Sequence, residues 1–398
     1  MLSRVVCQRA LAAPCRRLLS TSAGSGTGAG SGTGASSATP YLLAGTGAAL
    51  GAVALGASGV FGAGRADAKA PEQAAADASL FAAMEKRLSA LEVQLAGGKQ
   101  MALVFIKPHA CNPKVIELVR AKLGAAGIRI ASEGTIGAEQ IDKQMLIDNH
   151  YGAIAAKAVK LKPSQLNVPA KGKAEFQKLF GISWDDALAK GLVYNAADAL
   201  AKIGGDGFEL DKRWSNLQRS TDLLKFGGGF YVGKIGDIFV INGFYAAMRA
   251  AYTTPPAKLH YFTVQWPTER LSWASFRADV LGATNPADAE KGSVRRDILE
   301  GWESLGLASK PNVGENGVHA SASPFEALAE RMNWTGVPLR EDAFGRGLLA
   351  AGVPAETIAA WTEDPQVALG GKKGSLFDLL EDRDADDVLA IAPKISAA

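Results

Sequence analysis

Met101-Ala102-Leu103-Val104-Phe105-Ile106-Lys107-Pro108 is an unbroken apolar run that ends on a cation and a proline. A short run of this kind reads as a buried strand running into a turn. Downstream, residues 113–123 place Val115, Ile116, Val119 and Leu123 at helical spacing, and Gly124 or Gly127 closes the pattern. Residues 128–136 alternate like a second strand, and Ile141, Met145 and Leu146 mark another helix. A third strand is predicted at 259–264, with helices at 273–281 and 324–332. Strand, helix, strand, helix, strand, helix predicts an α/β sandwich with helices against one sheet.

The chain has 398 residues, 47% apolar and 21% charged, which predicts two or three units with a sizeable core. Its net charge is +3, and Arg4, Arg9, Arg16 and Arg17 lie in the leader, so the body is close to neutral. A polybasic surface is therefore absent and nucleic acid is not an expected partner. Cys7 and Cys15 also fall in the leader, leaving Cys111 alone in the body. That excludes a disulfide-stapled scaffold and a cysteine-based zinc site.

Residues 1–22 carry arginines and no acid, the composition of a mitochondrial presequence, with a disordered basic terminus as the alternative. Residues 23–40 form a Gly/Ser linker. Residues 41–64 carry no charge and, at about 1.5 Å per residue, are long enough for a hydrocarbon layer of about 30 Å. They predict a transmembrane helix rich in small residues, against the alternative of a Gly/Ala linker. Residues 72–98 follow as an amphipathic connector, with Phe81, Met84, Leu88, Leu91 and Leu95 on one stripe. Two heptads are too few to stand alone, so this helix should rest on a partner or on the following domain.

The chemistry-bearing residues sit in loops. Of His109, His150, His260 and His319, the last lies in Asn316-Gly317-Val318-His319-Ala320-Ser321, just before a helix. Such a histidine suits a metal ligand, a base, a nucleophile or a plain hydrogen-bonded loop residue. No HExxH or similarly spaced histidine pair supports a metal. Lys107, Arg295 and Arg296, with Thr284 and Asn316, would suit a triphosphate if the fold brings them together.

Val104-Phe105-Ile106-Lys107-Pro108, His150-Tyr151, Thr284-Asn285-Pro286-Ala287-Asp288, Gly292-Ser293-Val294-Arg295 and Asn316-x-x-His319-Ala320-Ser321 occur in the order found in nucleoside diphosphate kinases. The chain resembles that family over residues 101–151 and 243–334. The resemblance implies a ferredoxin-like α/β sandwich with an antiparallel sheet, a homo-oligomer, and ping-pong phosphoryl transfer from ATP to a nucleoside diphosphate through a phosphohistidine. It implies His319 as nucleophile, Glu330 as the carboxylate that orients it, and Lys107 and Tyr151 beside the transferring phosphate. Thr284 and Arg295 would bind phosphates and Asn316 the ribose. Mg²⁺ would ride on the nucleotide, so no protein metal site is implied.

The sequence also departs from the family. His109 and Ala322 stand where the family has Asp, Val240 or Ile241 falls at the aromatic base platform, and Ala278 falls at a phosphate-binding arginine, with Arg277 one step away. A domain at 99–335 carries an insertion at 152–242, and 336–398 form a C-terminal extension. Two readings result. One is a membrane-anchored mitochondrial nucleoside diphosphate kinase. The other is a catalytically weakened or inactive kinase-like accessory or structural subunit of an inner-membrane complex, respiratory or ATP synthase, with that complex's subunits and membrane lipid as partners.

Overall fold

The computed structural model describes residues 70–397, with side chains from 76 to 396. Helix α1 (Ala70–Gly97) leads into strand β1 (Lys99–Ile106), followed by α2 (Pro113–Ala125) and β2 (Arg129–Gly137). β7 (Lys258–Pro267) and β8 (Val318–Ala320) complete a four-stranded sheet in the order β2-β7-β1-β8, and every pairing is antiparallel. β1 is central because it is apolar on both faces. Ala102, Val104 and Ile106 join a core with Val115, Val119, Phe262, Trp266 and Phe276, while Leu103 and Phe105 join a second core with Ile141, Ile147, Tyr252 and Trp334. The sheet is therefore covered on both faces.

Between β2 and β7, the insertion builds a sheet of its own. β3 (Val193–Asn195), β4 (Leu223–Gly227), β5 (Phe230–Ile235) and β6 (Ile238–Ile241) pair in the order β3-β6-β5-β4, with β3 and β6 parallel. Two apolar clusters flank it, one around Trp214, Tyr231 and Val240, the other around Phe176, Trp184 and Phe239. A stretch that reads as helical across 174–202 is broken by β3, whose three residues are too short a run to register in the sequence pattern.

The C-terminal extension carries a small three-stranded sheet as well as helices. Beyond α3 (Pro324–Thr335), β9 (Gln366–Leu369) and β10 (Lys372–Ser375) form a hairpin around Gly370-Gly371, both at positive φ, and β11 (Ser396–Ala397) pairs with β9. Phe344, Leu348, Ile358, Trp361, Leu376 and Leu389 pack with Phe325 and Leu328 of α3. Arg331 on α3 pairs with Asp342 in the interior, at 2.8 and 3.0 Å.

Among the described residues no helix is long and apolar enough to cross a membrane. α1 has the length, but it carries Glu72, Asp77, Glu85, Lys86, Arg87 and Glu92. This corrects the expectation of a fold with an N-terminal transmembrane helix, and with it a membrane-anchored kinase, a transit peptide and a mitochondrial inner-membrane location. The leader 1–22, the linker 23–40 and the span 41–64 on which those expectations rested lie outside the described residues.

Candidate active site

β8 is short and lies at the edge of the main sheet, where it pairs His319 with Phe105 of β1. The imidazole stacks on the Phe105 ring at 4.6 Å and meets the His150 ring edge-on at 4.6 Å. Ser323 caps α3 by accepting from the Glu326 amide, which starts the helix in register to bring Glu330 back beneath β8. Glu330 Oε1 lies 2.6 Å from His319 Nε2, and Glu330 Oε2 accepts from the Ser321 hydroxyl at 2.5 Å. Ser321 Oγ in turn accepts from the Leu103 amide at 3.0 Å. The carboxylate, serine and histidine are thus fixed to the central strand.

When Glu330 is ionised, this hydrogen bond sets the tautomer. Glu330 is the acceptor on the Nε2 side, so the ring carries its proton on Nε2 and keeps the lone pair on Nδ1. Burial, then the nearby Lys107, Arg295 and Arg277, holds the His319 pKa well below its ordinary value, so the ring is neutral near pH 7. Burial pushes Glu330 up, and it pushes Glu326 up with Glu330 as the second cause. Glu326 accepts from the Ala322 amide at 2.7 Å.

The turn after β1 organises the opposite wall. The Lys107 amide donates to the Gly317 carbonyl at 2.9 Å, Gly317 donates to His109 Nε2 at 3.1 Å, and Lys107 Nζ donates to the Gly314 carbonyl at 3.1 Å. Burial, then Arg295, lowers the Lys107 pKa to about 7. His109 is lowered to about 3, by burial and then by Lys107. It acts as a neutral acceptor that shapes the 314–318 loop. Arg295 spends its guanidinium on main chain, reaching Gly282 O at 2.6 Å and Val318 O at 3.1 Å; burial, then Arg277, lowers its pKa to about 10.

Asn316 donates to the Thr284 carbonyl at 2.9 Å, while its Oδ1 is buried without a partner among the described residues. A buried acceptor left open in this way is a position where a ligand donor would fit.

The structure therefore brings His319, Glu330, Lys107, Arg295, Thr284 and Asn316 into one neighbourhood. Tyr151 stands one step further out, with its ring against His150 at 4.9 Å and Tyr245 at 6.4 Å. Val240 and Ile241, at the position the resemblance gives to the aromatic platform, lie with Phe239 in the core of the insertion.

Sequence reasoning missed the partners of Arg277. Its guanidinium is bound by Glu381 at 2.9 Å and Asp382 at 2.5 Å, and the Asp382 amide donates to the Ala322 carbonyl at 3.0 Å. Burial alone would lower the Arg277 pKa, but the two carboxylates outweigh it and hold it above the ordinary value. The available signal was the acidic stretch 381–387, separated from Arg277 by more than a hundred positions.

His150 Nδ1, His319 Nε2 and a Glu330 oxygen also lie within 4.8 Å of one another, a grouping with the ligand chemistry of a metal site. With two nitrogens and one oxygen it does not suit Mg²⁺, which takes oxygen ligands.

No family model matches the chain. A nucleoside diphosphate kinase from Desulfotalea psychrophila is 30% identical over 156 residues, covering 39% of this chain and 91% of that protein. The chain belongs to the nucleoside diphosphate kinase family. It is a remote member, and the aligned part leaves most of this chain unmatched. Two solved nucleoside diphosphate kinases also align. The apo cubic form from Encephalitozoon cuniculi has 13% identity and a TM-score of 0.29, covering 61% of this chain and 92% of that one. An NDP kinase from Pyrobaculum aerophilum has 16% identity and a TM-score of 0.28, covering 61% and 98%.

Proposed function

We propose that this chain is a kinase-like accessory protein whose phosphohistidine site is retained but weakened, because its own C-terminal extension occupies the cation next to the phosphate position. The observation that carries this reading is the double carboxylate contact of Glu381 and Asp382 on Arg277. A guanidinium clamped by two carboxylates offers a phosphate little net positive charge. Arg295 is likewise committed to the Gly282 and Val318 carbonyls. Asn316, with its open buried oxygen, supports nucleotide binding at the same place.

In this reading the substrate is an Mg²⁺-bound nucleoside triphosphate, with the cation carried on the phosphates. His319 Nδ1 would attack the γ-phosphorus, forming a P–N bond as the bond to the β-phosphate oxygen breaks and the diphosphate leaves. Glu330 would stabilise the positive charge that develops on the ring, and Lys107 would face the transferring oxygens. An acceptor diphosphate would then reverse the step. The weak cradle slows both halves.

The test uses the full chain incubated with γ-labelled ATP and Mg²⁺, then chased with GDP. Slow acid-labile labelling that quickens in Glu381→Gln/Asp382→Asn supports the reading. Turnover at the rate of an ordinary kinase in the unmodified chain would sink it in favour of a competent enzyme. A double variant that folds, binds nucleotide and labels no faster would sink the role given to the extension.

A further inference from the structure

α1 has two different faces. Val93 and Ala96, near its C-terminal end, pack into the core of the C-terminal extension, and the space a side chain on Gly347 would need is taken by Ala96. The other face is largely exposed. Met84, Leu88, Leu91 and Leu95 are 57%, 61%, 55% and 67% exposed, and the stripe continues in sequence to Phe81. Large side chains exposed in a row at alternating three- and four-residue steps are the seam of a coiled coil, and such a row has a solubility cost unless something covers it.

We propose that this stripe docks a second copy of the chain, the two α1 helices lying parallel and in register as a short two-stranded coiled coil. The charges beside the seam select that occupant. With Leu88 at a and Leu91 at d, Arg87 occupies g and Glu92 the following e position. In a parallel pair, Arg87 of one copy lies beside Glu92 of the other, and two-fold symmetry makes the contact twice. In an antiparallel pair, e faces e, so Glu85 and Glu92 of the two copies meet as like charges. Among the described residues, neither Arg87 nor Glu92 has an ion-pair partner within its own chain, so both are available. Two heptads give a weak seam, but the C-terminal end of the helix is already fixed to the extension through Val93 and Ala96, which lowers the ordering cost of association.

The full chain is examined by sedimentation equilibrium over a wide concentration range. A monomer–dimer equilibrium is expected. Leu88→Asp, at an exposed position where folding is not at risk, should abolish it, with circular dichroism confirming the unchanged fold. Arg87→Glu should weaken the dimer by roughly tenfold, and adding Glu92→Arg should restore it. A monomer at every concentration would overturn the proposal and assign the stripe to a different protein. So would an oligomer indifferent to Leu88→Asp, which would be held by another surface. Failure of the charge exchange to restore an Arg87→Glu dimer would overturn the parallel arrangement.

Discussion

The two sides of His319 are built differently. On the Nε2 side stand Glu330, Ser321 and the Leu103 amide, close, buried and joined end to end by hydrogen bonds of 2.5 to 3.0 Å. On the other side stand Lys107, Arg295 and Arg277, each already holding something from its own chain: a carbonyl, two carbonyls and two carboxylates. The first side is what a neutral nucleophilic imidazole needs. The second is what a polyphosphate would have to win over. Under the proposed function, the contrast teaches that a nucleophile can stay fully prepared while the electrostatics that should deliver its substrate are drawn into the fold.

The strongest way to break the comparison starts from Glu381→Gln/Asp382→Asn. In that background His319→Ala should remove acid-labile label altogether, a loss of at least about a hundredfold. Label that persists would place the nucleophile elsewhere. Without the histidine change, the double variant itself should label roughly tenfold faster than the parent, as the return of one cation to a developing anion would give. An unchanged rate would mean that Arg277 does not face the phosphates.

Ser321→Ala probes the prepared side. It removes the donor to Glu330 and the acceptor of the Leu103 amide, so thermal or urea unfolding should show a loss of about 1–3 kcal/mol. No measurable loss would show that the carboxylate is held without the serine.

The smallest effect is on pH. Lys107 is lowered to about 7, so it is mostly charged at pH 6 and mostly neutral at pH 8. Affinity for a fluorescent diphosphate should therefore fall a few-fold as pH rises across that interval. Lys107→Met should flatten the profile, and a slope that survives the substitution would belong to another group.

Much of the prepared side was legible in the sequence. His319 and Glu330 lie eleven positions apart across a strand-to-helix junction, a distance short enough for local pattern and family resemblance to join them. The apolar run at 101–106 likewise announced the central strand, because a strand buried on both faces leaves no polar alternation. The Gly370-Gly371 hairpin was also visible in principle, since two glycines between short extended runs are a turn signal. The capture of Arg277 was not legible. It joins positions more than a hundred residues apart, and an acidic run in a tail has the same composition whether it is solvated or folded against a guanidinium. The sheet of the insertion was legible only in part: the Gly-rich, aromatic run 226–240 reads as a hairpin or binding loop and holds the antiparallel β5–β6 pair, whereas β3 has three residues and gains strand identity only by pairing with β6.

Asp382 is anchored twice, by its carboxylate to Arg277 and by its amide to the Ala322 carbonyl. In the proposed function Asp382 is a tethered competitor: it never diffuses away, so a free phosphate would meet it at a fixed local concentration, in the millimolar range even for a short flexible tether. The affinity of this site is therefore a property of the last folded segment of the chain as much as of the pocket. In the proposed function, a phosphate that displaces Asp382 and an agent that holds residues 381–382 away from Arg277 would favour each other by the same factor.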